Sequence, residues 1–509
     1  MRDIQFDDVK TYDIRFPASV KRARTNVQVT DFDPDFCGVY VIIGTKDENY
    51  KGYGIALVKD IDTDTDKDTD RLMERIVESM FHEILKDKTT TRIYNELGAV
   101  WRSLSTMTLH WKFNHLRPAA IAIISALWDL WARIEDKPVW KLLADMTPQE
   151  LITTIDFSDV MDIITPEEAL QMLTCEMSLR ECHEELLKQY GCFASVTGIG
   201  YHDNLSKNKG YTYQRIRDLC RNFKKLDLST FEVYADRNVG GSVIRCLAIA
   251  KMMGKRRGAC VWRKPRIVLN ANEITWELEQ LSSFLETLYN ISRRTKIRST
   301  PYCIELAWAA YKTKRSIQNK MKGSDIKASS GEKCDSHLEF KELAISCLHN
   351  IWQINIGKVG LNEALIIYLI AHKNKLPVWL HGDGLGLSEM GQHVQMWDYV
   401  CLNRANEIRL TQENPAYFNN RIIEFVNYQH GYFENPVYIL KGFYMPPTHP
   451  GFSTKLKKKC TARWSYPDGT QWQHLIKIKD LKKGKKKAEL EKDDRDDMIR
   501  QNPVDESDK

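Results

Sequence analysis

Residues 351–381 read IWQINIGKVGLNEALIIYLIAHKNKLPVWLH and show one full period of the chain's rhythm. A short apolar run at 351–356 is followed by an amphipathic run from Asn362 to His372, and a second apolar run fills 376–381. Apolar runs of this length suit buried strands, and the longer amphipathic segment between them suits a helix. Working outward, strand candidates recur at 325–330, 301–306, 265–271, 230–236, 193–199 and 151–157, with helical patterns such as Gly241 to Met253 and Glu273 to Leu288 between them. Eight strand candidates alternating with helices predict an α/β fold with a (β/α) barrel, which usually occupies about 250 residues. A doubly wound open sheet is the competing layout, and periodicity does not separate the two.

The first 140 residues read differently, as mixed α and β. Phe36 to Ile43 and Gly52 to Val58 are β-branched, apolar runs joined by the polar turn Lys46-Asp47-Glu48-Asn49, which predicts a hairpin. Asp recurs at 60, 62, 64, 66, 68 and 70, as expected of a solvated loop. Three helical patterns follow, the last from Ala119 to Ile134, ending before Pro138. Swollen, basic or polar connections are expected at Gly254 to Arg266, Lys312 to Lys327 and Asn403 to Asn419. The tail after about 476 alternates Lys and Asp/Glu blocks with almost no apolar content, the composition of a disordered segment.

Composition removes several classes of function. Lys and Arg number 74 against 68 Asp and Glu, a net charge of +6, too small to argue for nucleic acid by itself. Basic stretches at Lys255 to Arg263, Lys455 to Lys459 and Lys482 to Lys487 would suit a polyanion, but solvated loops explain them more simply. No run approaches the roughly 18 apolar residues of a membrane helix. Met1 to Arg15 carries Asp3, Asp7, Asp8 and Asp13, unlike a secretory or transit segment, so a cytoplasmic protein is expected. The 12 cysteines include no Cys-x-x-Cys pair, which predicts reduced thiols without a zinc motif or disulfide framework. Cys175, Cys182 and His183 lie close together without a fourth ligand and read as an exposed helix face. Trp128, Trp131 and Trp140 read as packing between the first region and the barrel.

In a barrel, catalytic groups stand at the C-terminal ends of the strands. Those ends carry Glu232 and Tyr234, then Asn270, Glu305, Glu332, Asn355 and His381. One polar residue could cap a strand, but six successive strand ends predict a shared site. Oxygen ligands around a hard cation, with His381 opposite as a base, fit that set. Glu305 and Glu332 would come from adjacent strands, and such a carboxylate pair without a cation raises one pKa.

These residues, with Arg15-Phe16-Pro17, Asp33-Pro34-Asp35, Leu127-Trp128-Asp129-Leu130-Trp131-Ala132, Lys137-Pro138-Val139-Trp140-Lys141-Leu142-Leu143, Ile155-Asp156-Phe157, Gly331-Glu332, Leu376-Pro377-Val378, Tyr444-Met445-Pro446-Pro447 and Tyr466-Pro467-Asp468-Gly469, resemble the enolase superfamily. The resemblance is to its L-fuconate dehydratase branch and runs collinearly over roughly residues 10 to 475. It implies a modified TIM-type barrel over residues 150–425 beneath an α+β capping domain at 1–145. Residues 426–475 would return to the cap, and 476–509 would form the charged tail. It also implies Mg²⁺, held by three carboxylates, stabilising the enediolate formed when a base takes the proton beside a sugar carboxylate. A Lys-x-Lys motif serves one face and a His–Asp dyad the other, while a late Glu helps hold the oxyanion. Loss of a β-hydroxyl then gives a 2-keto-3-deoxy acid.

Carried over residue by residue, the resemblance places Glu232-Val233-Tyr234 at the Lys-x-Lys position. It places Asn270, Glu305 and Glu332 at the metal positions, Asn355 in place of the dyad's aspartate, His381 as its histidine and Glu424 as the late glutamate. Tyr, with a reference pKa near 10, is a poor base at neutral pH. Asn270 offers a neutral oxygen where a carboxylate is expected, and Asn355 can orient His381 without adding charge. In the cap, Asp33-Pro34-Asp35-Phe36 loses a tyrosine hydroxyl, and Lys21 to Asn26 occupies the place of a small glycine-containing loop. Losing one positioned acid or base costs about 10²–10⁴ in rate, and residues acting as a unit fail together. The expectation is a fuconate-dehydratase-like pseudoenzyme with a residual sugar-acid pocket, weakened Mg²⁺ binding and, by family resemblance, a homo-oligomeric state. A working metal-dependent hydro-lyase or epimerase with a rearranged site is the alternative. The resemblance also admits a mitochondrial location.

Overall fold

Three strands open the chain, β1 (Phe6–Pro17), β2 (Pro34–Thr45) and β3 (Lys51–Val58), paired antiparallel in that order. The computed structural model describes residues 2–17, 34–58, 67–109, 117–199, 213–228, 230–235, 239–253, 266–271, 278–295, 303–305, 326–346, 351–382, 384–403, 421–426 and 430–477. The hairpin expected at 36–58 is present as β2 and β3. β1 was not legible because a register irregularity between Phe6 and Val9 breaks its alternation. The Asp-rich stretch is a loop in expectation only up to Lys67, where the helix Lys67–Ile84 begins; residues 59–66 lie outside the described residues.

The helix Arg117–Ile134 lies against β2 and β3 and is buried along nearly its whole length. Its close approach depends on β3: a Cβ built at Gly54 would stand 1.9 Å from the Ala122 carbonyl oxygen. Asp129 ties three segments together. One carboxylate oxygen accepts the Tyr53 N–H at 2.9 Å, the other accepts the Phe452 N–H at 2.6 Å, and Arg133 pairs with the group at 2.6 Å. Trp128 donates its indole N–H to Asn362 at 2.9 Å and so joins the first region to the barrel, whereas Trp131 stacks on Tyr94 and Trp128 within the first region and the Trp140 indole donates to Pro447 O.

The barrel has eight parallel strands: β4 (Cys192–Ile199), β5 (Thr230–Tyr234), β6 (Arg266–Asn270), β7 (Cys303–Glu305), β8 (Lys327–Ser330), β9 (Ile351–Ile354), β10 (Val378–Leu380) and β11 (Ile422–Phe425). β11 pairs with β4, so the sheet closes and the open-sheet layout is excluded.

Two expectations are corrected together. Residues 151–157 form no strand: the helix Pro148–Thr153 begins with a capping box, in which Thr147 accepts the Glu150 N–H and Glu150 accepts the Thr147 N–H. Thr-Pro-x-Glu is a helix start, and it outweighs the β-branched run that follows. The eighth strand is instead β11 at Ile422–Phe425, well beyond the expected last strand at 376–381. The helices Pro166–Cys175 and Arg180–Tyr190 then lead into β4. His183 is buried rather than exposed, with Nδ1 3.1 Å from the Val400 carbonyl, whereas Cys175 and Cys182 are exposed.

After the barrel, β12 (Ile439–Leu440) and β13 (Phe443–Tyr444) form a small antiparallel ribbon, and β13 adds to β4. The chain then returns to the first sheet. Tyr466 N–H donates to Asp13 O at 2.8 Å, and the Trp472 indole donates to Arg15 O at 2.9 Å. Residues 478–509 lie outside the described residues, and no described helix is long and apolar enough to cross a membrane.

Candidate functional site

The strand register places the polar side chains in layers. From Glu232 the hydrogen-bonded register runs to Val268 and Cys303, and two residues along β7 stands Glu305. From Glu305 it runs to Ser329 and Ile351, and two residues along β9 stands Gln353. Gln353 pairs with Trp379, which by the β10–β11 register stands against Ile422, and two residues along β11 stands Glu424. From Glu424 the register runs to Ser195 and Thr230, and two residues along β5 it returns to Glu232. The circuit climbs eight residues, the stagger of a TIM-type barrel, so Glu232, Glu305, Gln353 and Glu424 form one four-residue layer from alternate strands. Such layers are ordinarily filled by bulky branched residues. Here the layer holds three carboxyls and an amide, all buried.

One layer below are Ser195, Val268, Ser329 and Trp379, all buried. In the layer above stand Asn270 and His381, with Gly331 directly after β8. Gly331 has φ +121°, and a Cβ there would lie 2.7 Å from the Gln353 carbonyl oxygen, so the turn that carries Glu332 over the mouth needs glycine. Tyr234 closes β5 and is buried, its carbonyl taking an N–H from Arg245 at 2.9 Å.

Glu232, Glu305 and Glu424 each place a carboxylate oxygen within 4.8 Å of the others. Glu232 accepts the Asn270 side-chain N–H at 2.6 Å. Glu424 accepts the Gly382 N–H at 3.0 Å and a second N–H from the Gln353 amide. His381 lies between two carboxylates, with Nδ1 2.8 Å from Glu424 and Nε2 3.6 Å from Glu332. Asn355 does not orient His381. Its amide oxygen accepts the Gly357 N–H at 3.1 Å and caps the helix Ile356–Lys373. The charge that orients the imidazole comes from Glu424 and Glu332 instead.

The electrostatics follow from crowding and burial. Burial is the main force holding the Glu305 carboxyl well above the usual range; Glu332, Glu232 and Glu424 push in the same direction. Glu332 is also pushed up by burial, but His381, the hydrogen bond from Glu305, Lys358 and Lys333 bring it below the usual value. The two carboxyls are therefore pushed apart, Glu305 upward and Glu332 downward, the outcome expected for paired carboxylates.

The structure brings Glu232, Asn270, Glu305, Glu332, Glu424 and His381 together, whereas Tyr234 closes β5 in register with Asn270 and the Asn355 oxygen serves the helix. The tight carboxylate set differs from the expected ligands: Glu232 and Glu424 join Glu305 where Asn270 and Glu332 were expected. Gln353 was missed, although an amide in the otherwise apolar Ile351–Ile354, two residues before Asn355, marks the inward face. Residues 18–33, which include Lys21 to Asn26 and Asp33, lie outside the described residues, as do Lys255 to Arg263 and Lys482 to Lys487. Of the remaining basic stretch, Lys455 pairs with Glu434 at 2.9 Å and Lys457 donates to Gly431 O at 2.9 Å. A cavity of about 530 Å³ lies between β1 and Thr461–Gly469, and none of the barrel-site residues lines it.

Residues 301–460 match the family described as Enolase C-terminal domain-like. The chain is 29% identical over 470 residues to "Mitochondrial enolase superfamily member 1" of Xenopus laevis, spanning 91% of this chain and 96% of the relative. It is 27% identical over 486 residues to "L-galactonate dehydratase" of Hypocrea jecorina, spanning 93% of this chain and 97% of the relative. The solved structure of human "Mitochondrial enolase superfamily member 1" aligns with a TM-score of 0.75 at 27% identity, covering 93% of this chain and 99% of that one.

Proposed function

The chain belongs to the enolase superfamily, and from that premise we propose that it is a relative of the L-fuconate dehydratases that keeps a sugar-acid pocket and has lost most or all of its dehydration activity. The observation that carries this is the fate of the Lys-x-Lys position. Glu232 is drawn into the carboxylate layer and takes the Asn270 N–H, so it faces the site as an acidic group where the family places a cation. Tyr234, the other member, is a phenol that ordinarily keeps its proton until near pH 10. Among the described residues, neither strand-end position on that face supplies a base suited to the proton beside a carboxylate.

The donor set fits the family's Mg²⁺, since carboxylate oxygens are the ligands a hard cation takes. When bound, the cation would place positive charge beside the carboxylate of a sugar acid and favour negative charge developing there. The chain's own residues supply less. His381 can hold or move a proton at Nε2 on its face, and Glu424 and Glu332 fix its orientation. A single face with an acid and no matching base binds the ligand but does not turn it over. The "L-galactonate dehydratase" relative points to the acid-sugar class for that ligand.

A second reading, an active metal-dependent hydro-lyase or epimerase, draws on the same His381 geometry, with Glu232 serving as base. The two separate in one assay. The purified protein with Mg²⁺ and a panel of sugar acids, L-fuconate and L-galactonate included, is expected to yield no 2-keto-3-deoxy product. Turnover at an ordinary enzymatic rate, about 1 s⁻¹ or more, abolished by His381→Asn, would establish the second reading instead. On the same family resemblance a homo-oligomer is proposed, which light scattering of the purified chain checks.

A further inference from the structure

His430 stands outside the carboxylate layer, in the turn His430–Tyr432 that follows β11. Its Nδ1 lies 2.7 Å from a carboxylate oxygen of Glu389, and its Nε2 lies 2.6 Å from the Val426 carbonyl oxygen. A carbonyl oxygen only accepts, so Nε2 carries a proton. The proton between Nδ1 and the carboxyl rests on the imidazole, whose reference pKa of about 6.5 exceeds the roughly 4.3 of a glutamate. The ring is therefore an imidazolium, clamped between two acceptors and paired with a carboxylate whose side chain is 3% exposed. The Phe425 ring lies flat against it, with centroids 5.3 Å apart and planes at 12°. Removing either partner would leave the other charge largely buried, so the pair is costly unless it holds something in place.

What it holds is the join between the site and the first sheet. Glu389 belongs to the first turn of the helix Leu387–Cys401, where a negative charge suits the helix N-terminus. Its neighbour Ser388 donates to the Glu424 carbonyl oxygen at 3.4 Å, and the Tyr444 hydroxyl donates to the same oxygen at 2.8 Å. With the bond from His430 to Val426, three side chains hold the backbone from Glu424 to Val426. On its far side the turn meets the first sheet. The Tyr432 ring stacks on Phe16 with centroids 4.6 Å apart, and Phe433 pairs with Leu456, whose N–H reaches the Tyr40 hydroxyl at 3.2 Å. The charged groups of the returning segment are engaged here too, Lys457 with Gly431 O and Lys455 with Glu434.

We infer that His430 is a positioning residue for the barrel site: its charge fixes the end of β11 beside Glu424 and ties it to the first sheet through Tyr432. Glu424 in turn holds His381 Nδ1 at 2.8 Å, so the orientation of that imidazole is set from a residue that never enters the layer. The role concerns how the site is held, and it stands whether or not the pocket turns over a sugar acid.

Nitrogen-15 NMR of the full-length protein, labelled in its histidine rings, tests it at pH 7 with no ligand present. His430 is expected to show both ring nitrogens protonated in the wild type, and in Glu389→Gln a neutral ring with its proton on Nε2. In His430→Gln the His381 ring signals should move, while those of His183, which meets the other end of the helix Leu387–Cys401 at Val400, stay in place. The Leu456 amide should exchange with deuterium at least about tenfold faster in His430→Gln, since hydrogen bonds to charged groups are among the strong ones. Circular dichroism and melting temperature confirm that each variant is folded. Glu389→Gln, expected to move the same signals, stands in should His430→Gln not fold, and the wild-type ring signals test the charge with no substitution at all. A neutral His430 in the wild type overturns the inference. So do unmoved His381 signals, or unchanged Leu456 exchange, in folded His430→Gln. An acid-sugar turnover result in either direction leaves these outcomes unchanged.

Discussion

Lowering the pH from 7 to 5 should destabilise this protein through His393, a residue outside the carboxylate layer. His393 is fully buried in the helix Leu387–Cys401, its Nδ1 accepting the Trp140 backbone N–H at 3.2 Å and its Nε2 3.0 Å from the Ser453 hydroxyl. Since Nδ1 accepts, the ring is neutral with its proton on Nε2, and it joins the barrel to both the first region and the returning C-terminal segment. Burial alone lowers its pKa from 6.5 to about 3. The folded form therefore refuses a proton that the unfolded chain takes up below 6.5. The unfolded state binds more protons in that window, so stability falls as pH falls, by up to about 1.4 kcal/mol per unit until the folded pKa is reached. Between pH 7 and 5 this amounts to about 2 kcal/mol. Urea unfolding at both pH values, on the wild type and on His393→Gln, isolates the effect, because a neutral amide cannot titrate. The wild type should lose about 2 kcal/mol more than the variant over that interval. Equal losses in the two proteins would refute the reasoning, since other groups titrate alike in both.

Glu305 has the opposite sign. Its folded pKa is raised, so the folded state holds a proton the unfolded chain has released, and stability falls as pH rises above 4.5. In chelator, Glu305→Gln should therefore gain on the wild type as pH rises from 5 to 7, by up to about 1.4 kcal/mol per unit; a pH-independent difference in urea midpoints would contradict this. Asp129→Ala leaves two backbone N–H groups and Arg133 without their acceptor, and the loss of a buried charge partner should cost about 3–5 kcal/mol in urea unfolding. A change under 1 kcal/mol would mean water replaces the carboxylate.

The barrel was legible because seven of its strands stand out as short runs between helical patterns, and six of them, β5 to β10, have a polar residue at or just beyond their ends. The eighth was misassigned for a local reason. Leu151 to Phe157 has the composition of a strand, but Thr147, Pro148 and Glu150 start a helix immediately before it, and capping decided the outcome. The site was legible as a set of residue types and not as a geometry. Glu232 read as a lost lysine because sequence spacing says nothing of the stagger between strands, and only that stagger brings it level with Glu305 and Glu424. Asn355 read as a partner for His381 because the resemblance puts it at the position of the dyad's aspartate; a helix begins at the next residue, and its unpaired N–H groups claim the amide. Gln353 drew no attention within an apolar run, although its spacing from Asn355 puts it on the same face.

The central claim, a sugar-acid pocket without a working base, is tested most directly by proton exchange. The protein is incubated with Mg²⁺ and each sugar acid in D₂O, and the proton beside the carboxylate is followed by NMR. The account predicts that this proton persists while the ligand binds, because Glu232 and Tyr234 stand where the base belongs. Deuterium appearing at that carbon, with or without 2-keto-3-deoxy product, would contradict it.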